Sequence, residues 1–213
     1  PDDAEALRKA AESGEIKRAV IAGGGFIGLE VAENLQSRGI RTTVLDMLPH
    51  IMPGFDPEMA EFVENHLANQ GIMTLLDTKL EGVEGSGTVE KVKTSRRVIK
   101  ADALVLSLGI RANTAFLADT GIELAPNRTV LVDDHMRTND ENIYALGDCS
   151  MITNRMTHAR AWSPMGSSAN IEGRIAAQNI AGADVSYPGV LGTGVVKLPG
   201  LNAGRTGLTE QAA

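Results

Sequence analysis

The sequence of 213 residues predicts an α/β fold with a parallel sheet and an added antiparallel β-meander. Two observations lead to this prediction. Short runs rich in β-branched residues alternate with segments of helical periodicity, as in chains that build βαβ units. A cluster of glycines, "AGGGFIG", joins the first such run to the helix that follows it. The hydrophobic content of 43% is that of an ordinary globular protein, so a sizeable core is expected.

The first part of the chain follows this alternation in order. A helix is predicted over residues 4–16, and strands and helices then alternate at 17–23, 26–38, 40–46, 56–70 and 72–76. Gly39 and Gly71 are typical helix ends. Asp56 is a plausible N-cap, and Pro57 suits the first turn of its helix. These elements together predict a Rossmann-like domain in three layers.

The pattern then changes twice. Residues 79–99 contain short strands separated by "EGSG", which is typical of an antiparallel meander, and 102–109 is a buried strand that ends on glycine. Beyond 122–127 the chain continues with "TVLVD", "NIYALGD", a helix at about 166–181 and "TGVVKLPG". The predicted domains are therefore 1–126, 127–185 and 186–213.

Composition and charge exclude several classes of function. A net charge of −7 argues against a nucleic-acid partner, which needs a concentrated basic face. The four histidines lack zinc-site spacing, so no metal is expected. A single cysteine, Cys149, permits no internal disulfide. No apolar run approaches the ~18 residues of a membrane span, so a cytoplasmic protein without a membrane partner is expected.

Gly23, Gly25 and Gly28 have the spacing G-x-G-x-x-G between the first strand and its helix. In a dinucleotide cradle the first glycine permits a tight turn, the second lets the backbone approach a pyrophosphate, and the third packs helix on strand. The helix N-terminus then presents N–H groups to the phosphates. Glycines also accumulate in ordinary turns, which is the alternative interpretation. The order of strand, glycines, helix, strand and acid favours the cradle.

Asp46 is that acid, and it ends the second strand, where a carboxylate hydrogen-bonds the adenosine ribose of NAD. A 2′-phosphate beside this carboxylate would be repelled. The next residues, Met47, Leu48 and Pro49, include no arginine that could attract one. The sequence therefore predicts a preference for NAD(H) over NADP(H).

A second motif, T-x-x-x-x-[IV]-[YF]-A-x-G-D, lies at residues 138–148 and is met by Thr138, Ile143, Tyr144, Ala145, Gly147 and Asp148. It resembles the second flavin fingerprint of the pyridine nucleotide-disulfide oxidoreductases. "GGGFIGLE", "LVLSLGIRANT", "PMGSSANIEGR" and "GTGVVKLPGLNAGRTGLTE" are similar to further segments of that family in the same order. Within the family, the likeness is to the branch of coenzyme A-disulfide reductases, NADH oxidases and peroxidases, and coenzyme A persulfide reductases.

The resemblance implies which residues contact NAD(H): Gly23, Gly25, Phe26, Ile27, Gly28, Glu30, Asp46 and Gly109. Phe26 stands where the family has a gate tyrosine, whose ring lies over the flavin until nicotinamide displaces it. Ile27 and Glu30 would border the nicotinamide, and Gly109 would allow the backbone to approach it. An ordinary exposed carboxylate is the alternative for Glu30.

On the flavin side, the resemblance implies contacts to FAD from Asp148, Pro164, Met165 and Gly166. The aspartate would meet the ribityl and phosphate region, and the helix start would face the flavin ring. An ordinary turn residue is the alternative for Asp148. The chain departs from the family at "PMGSSAN", where "PLAGPAN" is usual, and at Ala112, where proline is frequent.

The resemblance also implies an internal fragment of a longer FAD-dependent enzyme. The first glycine motif, which binds the FAD pyrophosphate, and the redox cysteine are expected upstream, so no catalytic residue is assigned here. Cys149 is expected to be an inert buried thiol. The implied reaction passes hydride from NADH to FAD and on to a disulfide, persulfide, oxygen or peroxide. A flavin reductase for a ferredoxin-like protein and a non-catalytic NAD(H)-binding redox sensor remain open alternatives.

The same resemblance places the start of a dimerisation domain at residues 186–213 and implies a homodimer for the full-length protein. A segment of this length cannot build a dimer interface, which typically buries ~800 Å² per partner. We therefore expect the tail of the chain to be poorly ordered or packed on a neighbouring molecule.

Overall fold

The computed structural model describes residues 2–213; Pro1, where the predicted first domain begins, lies outside the described residues. The chain divides into two compact units. The first runs from the N-terminus to Gly109 and also includes Gly194–Ala213, and the second is Ile110–Thr193. No helix within the described residues has the length and hydropathy needed to cross a membrane.

The first unit is built on a parallel sheet with helices in the connections. Its helices are α1 (Asp2–Glu12), α2 (Phe26–Gln36) and α3 (Pro57–Asn69). Its first strands are β1 (Arg18–Ala22), β2 (Arg41–Leu45), β3 (Met73–Leu75), β4 (Leu80–Glu84), β5 (Lys91–Thr94), β6 (Val98–Lys100) and β7 (Ala103–Leu106). The parallel sheet has the order β3-β2-β1-β7, and β4-β5-β6 form a separate antiparallel sheet.

The side chains of β1 show why this unit has three layers. Successive residues of a strand point to opposite faces of the sheet. Ala19 and Ile21 belong to a buried cluster with residues of α2 and α3. Val20 and Ala22 belong to another cluster that includes Val92 of the meander. Helices therefore cover one face and the β-meander covers the other, which confirms the predicted fold class.

The predicted strand at 102–109 is shorter in the structure. Strand β7 ends at Leu106, and Gly109 lies beyond it with φ +98°. A positive φ is incompatible with a strand, so the backbone must leave the sheet before this glycine.

The tail of the chain forms a hairpin of β11 (Gly194–Leu198) and β12 (Leu201–Arg205). Burial alternates along β11, and Val196 and Leu198 are only 0% and 1% exposed in the core cluster that also contains α2 and α3. Arg205 donates a hydrogen bond to the carbonyl of Gly54 at 2.7 Å. The expectation of a poorly ordered or externally packed tail is wrong, because the hairpin packs on the first unit with Val196 and Leu198 buried in its core.

Asp56 occupies the predicted N-cap position of α3 but makes no side-chain cap. Its Oδ1 instead accepts a hydrogen bond from the main-chain N–H of Glu210 at 3.0 Å. The carboxylate therefore holds the C-terminal segment rather than the first turn of its own helix.

The second unit is smaller and packs a short sheet against one helix. Strands β8 (Val130–Leu131), β9 (Ser150–Thr153) and β10 (Arg160–Ala161) have the order β10-β9-β8, and the helix is α4 (Gly166–Ile180). Residues 142–148 form an isolated bridge at Tyr144 and the start of a 3₁₀ turn at Gly147–Cys149.

The two compact units differ from the predicted domain boundaries. Residues 110–126 group with the second unit because Thr114 bonds the carbonyl of Arg128 at 2.6 Å and Leu124 bridges to Val130. Residues 186–193 join the same unit, where Tyr187 is part of the core. The assignment of 1–126, 127–185 and 186–213 to functional domains stays a prediction.

Candidate dinucleotide-binding site

The glycine turn between β1 and α2 requires glycine at two of its positions. Gly23 has φ +111°, and a Cβ there would overlap the main-chain oxygen of Ser107. A Cβ on Gly28 would overlap the carbonyl oxygen of Gly23. The turn and the close packing of helix on strand therefore depend on the absence of side chains, as the spacing predicts.

Gly25 differs from both of these glycines. Its φ is −76°, which any residue adopts, and a Cβ there would meet nothing within 4 Å. No contact inside the chain requires glycine at this position. The open space lies at the start of α2. No side chain caps the first N–H groups there, and the first turn has no acidic residue that would balance the positive end of the helix dipole. This is the arrangement in which an anionic ligand can approach the backbone.

Asp46 follows β2 and lies directly beside the glycine turn. Its Oδ2 accepts a hydrogen bond from the N–H of Gly24 at 2.7 Å, and its Oδ1 accepts one from Leu48 at 2.9 Å. Each carboxylate oxygen can accept further hydrogen bonds, so a ribose hydroxyl can still be bound. The carboxylate thus stabilises the loop around the glycine turn, in addition to its predicted role in binding the ribose.

Ser107 is a residue of this site that the sequence reasoning missed. Its Oγ lies 3.0 Å from the carbonyl oxygens of both Ala22 and Gly23 and can donate to either. It follows β7, the parallel neighbour of β1, and holds the beginning of the turn. A small polar residue just after a buried neighbouring strand was the only signal in the sequence.

Phe26 and its neighbours lie at the start of α2. Phe26 is half-buried against the core and makes an edge-to-face contact with Phe55, with ring centroids 6.0 Å apart. Ile27 is 60% exposed and Glu30 is exposed. Ile27 and Glu30 border a groove of about 410 Å³ between α1 and α2. Phe26 is therefore held by packing, whereas the other two side chains face open space.

The backbone conformation at position 109 favours glycine. Its φ of +98° is one that L side chains rarely adopt, and a Cβ there would meet nothing within 4 Å. The space around it is therefore open to a ligand, but the structure does not need a ligand to explain the glycine.

The predicted flavin-side residues all lie in the second unit. Asp148 is exposed within the 3₁₀ turn, and Trp162 Nε1 donates to its main-chain oxygen at 2.8 Å. Met165 is the N-cap residue of α4 without a side-chain cap, and Pro164 precedes it. A Cβ on Gly166, the first residue of α4, would meet nothing within 4 Å. The turn packs on α4, since a Cβ on Gly147 would lie 3.4 Å from that of Ala169.

A buried glutamate on α4, also missed by the sequence reasoning, holds this turn. Glu172 is 0% exposed, and its Oε2 accepts a hydrogen bond from the N–H of Gly147 at 2.7 Å. Ser150 Oγ lies 2.7 Å from the same oxygen. Glu172 Oε1 has no hydrogen-bond partner among residues 2–213. No sequence signal separates this glutamate from the exposed ones, because its partner lies 25 positions away.

Two further side chains bear on the predicted chemistry. Cys149 is half-buried, and its Sγ lies 3.3 Å from the carbonyl oxygen of Leu146. Within residues 2–213, a group that could hold a metal is formed by Asp133, Asp134 and His135. Both ring nitrogens of His135 already have carboxylate partners, Asp134 and Asp184, each at 2.8 Å. The absence of a metal stays a prediction. Cys149 is less buried than expected, and its inert role also stays a prediction.

The first unit therefore has the parallel sheet, glycine turn and strand-end carboxylate of a dinucleotide-binding α/β protein. A family model described as pyridine nucleotide-disulphide oxidoreductase matches residues 1–166. The chain belongs to this family.

The relatives support the same conclusion. An NAD(P)H sulfur oxidoreductase (CoA-dependent) of Pyrococcus abyssi is 36% identical over 100% of this chain and 48% of its own length. The chain thus spans about half the length of the curated relatives it matches.

Solved structures give the same result. An NAD-dependent persulfide reductase from A. fulgidus has a TM-score of 0.94 and 34% identity, covering 100% of this chain and 39% of that one. The water-forming NADH oxidase of Lactobacillus brevis, bound to NADH, has a TM-score of 0.91 and 29% identity, covering 99% and 46%. An engineered NADPH oxidase derived from it, with five substitutions, has a TM-score of 0.90 and 28% identity, covering 99% and 47%.

Proposed function

We propose that this chain provides the NADH-binding half, and one edge of the flavin site, of an FAD-dependent NADH oxidoreductase. The observation that carries the proposal is the turn at Gly25, where the backbone and the uncapped helix start face open space beside Asp46. Gly23, Gly25 and Gly28 would hold the pyrophosphate, and Asp46 would hold the ribose. Ile27, Glu30 and Gly109 would border the nicotinamide.

We infer a preference for NADH over NADPH. The carboxylate of Asp46 would repel a 2′-phosphate, and no cation follows it in the sequence. The engineered NADPH oxidase replaces a glycine, an aspartate, an alanine, a methionine and a proline, and gains two arginines. Those positions are spaced as Gly28, Asp46, Met47, Leu48 and Pro53 are in this chain. The present chain keeps the aspartate and lacks both arginines, which supports NADH.

For the flavin side, we infer that Asp148 accepts hydrogen bonds from the ribityl chain. The start of α4, with Pro164, Met165 and Gly166, would face the ring. The exposed Asp148 carboxylate and the open space at Gly166 fit such a ligand. Bound FAD would accept hydride from NADH and pass electrons onward. Phe26 would cover the flavin until nicotinamide arrives.

The electron acceptor would be a disulfide or persulfide, or oxygen or peroxide. The relatives named above include sulfur-reducing and water-forming enzymes, which supports both classes. We further propose that the complete protein is a cytoplasmic homodimer. Within the 213 residues a single cysteine leaves no disulfide, which is compatible with a reducing compartment.

The test has two parts. Titration of the 213-residue chain with NADH and NADPH, followed by nucleotide fluorescence, should give tighter binding of NADH. Equal affinities would contradict the inferred preference. The complete protein should be yellow and lose its visible flavin absorbance when NADH is added without oxygen. NADH binding without any flavin would instead favour a redox-sensing module, and turnover only with a ferredoxin-like acceptor would favour a flavin reductase.

A further inference from the structure

We propose that Glu172 is a positioning residue for the flavin site, because its buried carboxylate fixes both ends of the turn that carries Asp148. The inference rests on the proposed function, since it concerns how the chain prepares Asp148 for FAD.

The hydrogen bonds at Glu172 Oε2 define this role. The oxygen accepts from the N–H of Gly147, the first residue of the 3₁₀ turn, at 2.7 Å. It also lies 2.7 Å from Oγ of Ser150, the residue that follows the turn. Asp148 and Cys149 lie between these two anchors. One carboxylate oxygen thus contacts both ends of the turn, and Ser150 Oγ also lies 2.8 Å from the carbonyl oxygen of Gly147.

The turn closes through a hydrogen bond from the main-chain N–H of Ser150 to the carbonyl oxygen of Gly147, but the N–H of Gly147 takes its acceptor from outside the turn. Gly147 has φ +75°, a conformation that does not continue from the extended residue Leu146 before it. Its N–H is buried and must find an acceptor, because an unpaired buried N–H destabilises the fold. The acceptor is a side chain of α4, so the position of Asp148 is tied to the helix whose first turn would face the flavin.

The remaining oxygen indicates that stability alone does not explain this residue. Glu172 Oε1 is buried and has no hydrogen-bond partner among residues 2–213. A buried carboxylate with one unsatisfied oxygen is unfavourable for folding. The contacts of the other oxygen with the two ends of the turn are therefore the role that we assign to this side chain.

The matched control is Asn179, which also lies on α4 and is 5% exposed. Its side chain bonds the main chain of Val185 and of His135 and does not contact the Asp148 turn. Asn179→Ala and Glu172→Ala therefore each remove a buried polar anchor from the same helix. Only the second variant releases the turn.

The experiment measures FAD affinity and thermal midpoint in the complete protein for wild type, Glu172→Ala, Glu172→Gln and Asn179→Ala. We expect Glu172→Ala to raise the FAD dissociation constant about tenfold relative to Asn179→Ala, the effect of leaving the buried N–H of Gly147 without its acceptor. Glu172→Gln keeps an acceptor oxygen and should restore most of the affinity. If Glu172→Ala does not fold, Ser150→Ala removes one of the two anchors and should weaken FAD binding about threefold.

An FAD affinity in Glu172→Ala equal to that of Asn179→Ala would overturn the inference. Unchanged affinity in Ser150→Ala would do so where the alanine variant does not fold. Either result leaves the proposed function intact. A wild-type complete protein that binds no FAD would overturn the proposed function, and this inference with it.

Discussion

The two glycine turns of this chain, at Gly23 in the first unit and Gly147 in the second, are held in different ways. The first depends on the close approach of main-chain atoms, because a side chain at Gly23 or Gly28 would collide with main-chain oxygens. The second has room for a Cβ at Gly147, with its nearest neighbour at 3.4 Å, and depends on the buried carboxylate of Glu172. The first turn therefore depends on glycines that pack against the main-chain oxygens of Ser107 and Gly23, and the second on a buried side chain of α4.

The largest effect expected from this difference is on stability. Gly23→Ala should destabilise the chain by roughly 3–5 kcal/mol, because it combines a positive φ with overlap against the Ser107 backbone. Gly109→Ala is the control, since its φ is also positive but its Cβ would meet nothing. It should cost only about 1–2 kcal/mol, the backbone strain alone. Urea unfolding of both variants measures the difference, and equal losses would show that the close contact does not matter.

An intermediate effect is expected at Asp46, which joins the glycine turn to the next loop. Asp46→Ala should lower stability by about 1–3 kcal/mol, since the N–H groups of Gly24 and Leu48 lose their acceptor. The same change should narrow the difference in affinity between NADH and NADPH. Asp46→Asn keeps an acceptor oxygen and should lose less stability while still narrowing the difference. If Asp46→Ala kept the full preference, another residue would have to determine it.

The contrast between the turns also explains what the sequence could predict. The glycine cradle was found from spacing because Gly23, Gly25, Gly28 and Asp46 lie close together in a fixed order. The layers were predictable for the same reason, since periodicity assigns each strand and helix its buried face. Asp148 was assigned only by resemblance, and its anchor Glu172 was missed, because side-chain partners across long separations leave no local pattern. The burial of Val196 and Leu198 was missed on the same ground.

A smaller effect is expected at Phe26, the position of the proposed flavin gate. Phe26→Leu keeps apolar packing against Phe55 but removes the ring. In the complete protein, reduced flavin should then react faster with dissolved oxygen, because the shield is smaller. Stopped-flow oxidation measures this rate. Phe55→Leu is the control that disturbs the same ring pair without touching the proposed gate, and equal rates in both variants would make Phe26 an ordinary packing residue.

The smallest effect expected is on the pH dependence of stability, through His135 in the second unit. Desolvation lowers the pKa of His135, but hydrogen bonds to Asp184 and Asp134 and the attraction of Asp134 and Asp133 outweigh it, so the pKa is raised above 6.5. A raised pKa means that the protonated ring stabilises the fold. This contribution is fully present below pH 6.5 and is lost as the pH rises through the folded-state value.

His135→Gln should therefore flatten the dependence of stability on pH between 6.5 and the folded-state pKa of the histidine. Asp184→Asn removes one of the two partners and should leave an intermediate slope. Urea unfolding as a function of pH measures both variants. A wild-type stability that rises between neutral and mildly alkaline pH, and a variant with the same rise, would contradict the assignment.

The central claim is that the open space at Gly25 exists for a dinucleotide, and Gly25→Ala tests it most directly. The chain itself has room for this methyl group, so the free energy of unfolding should change by no more than a helix N-cap substitution allows, about 1 kcal/mol. NADH affinity, measured by fluorescence titration of the same sample, should fall by at least about tenfold, because the methyl group would occupy the position proposed for the pyrophosphate. Unchanged NADH affinity in a folded Gly25→Ala chain would contradict the account.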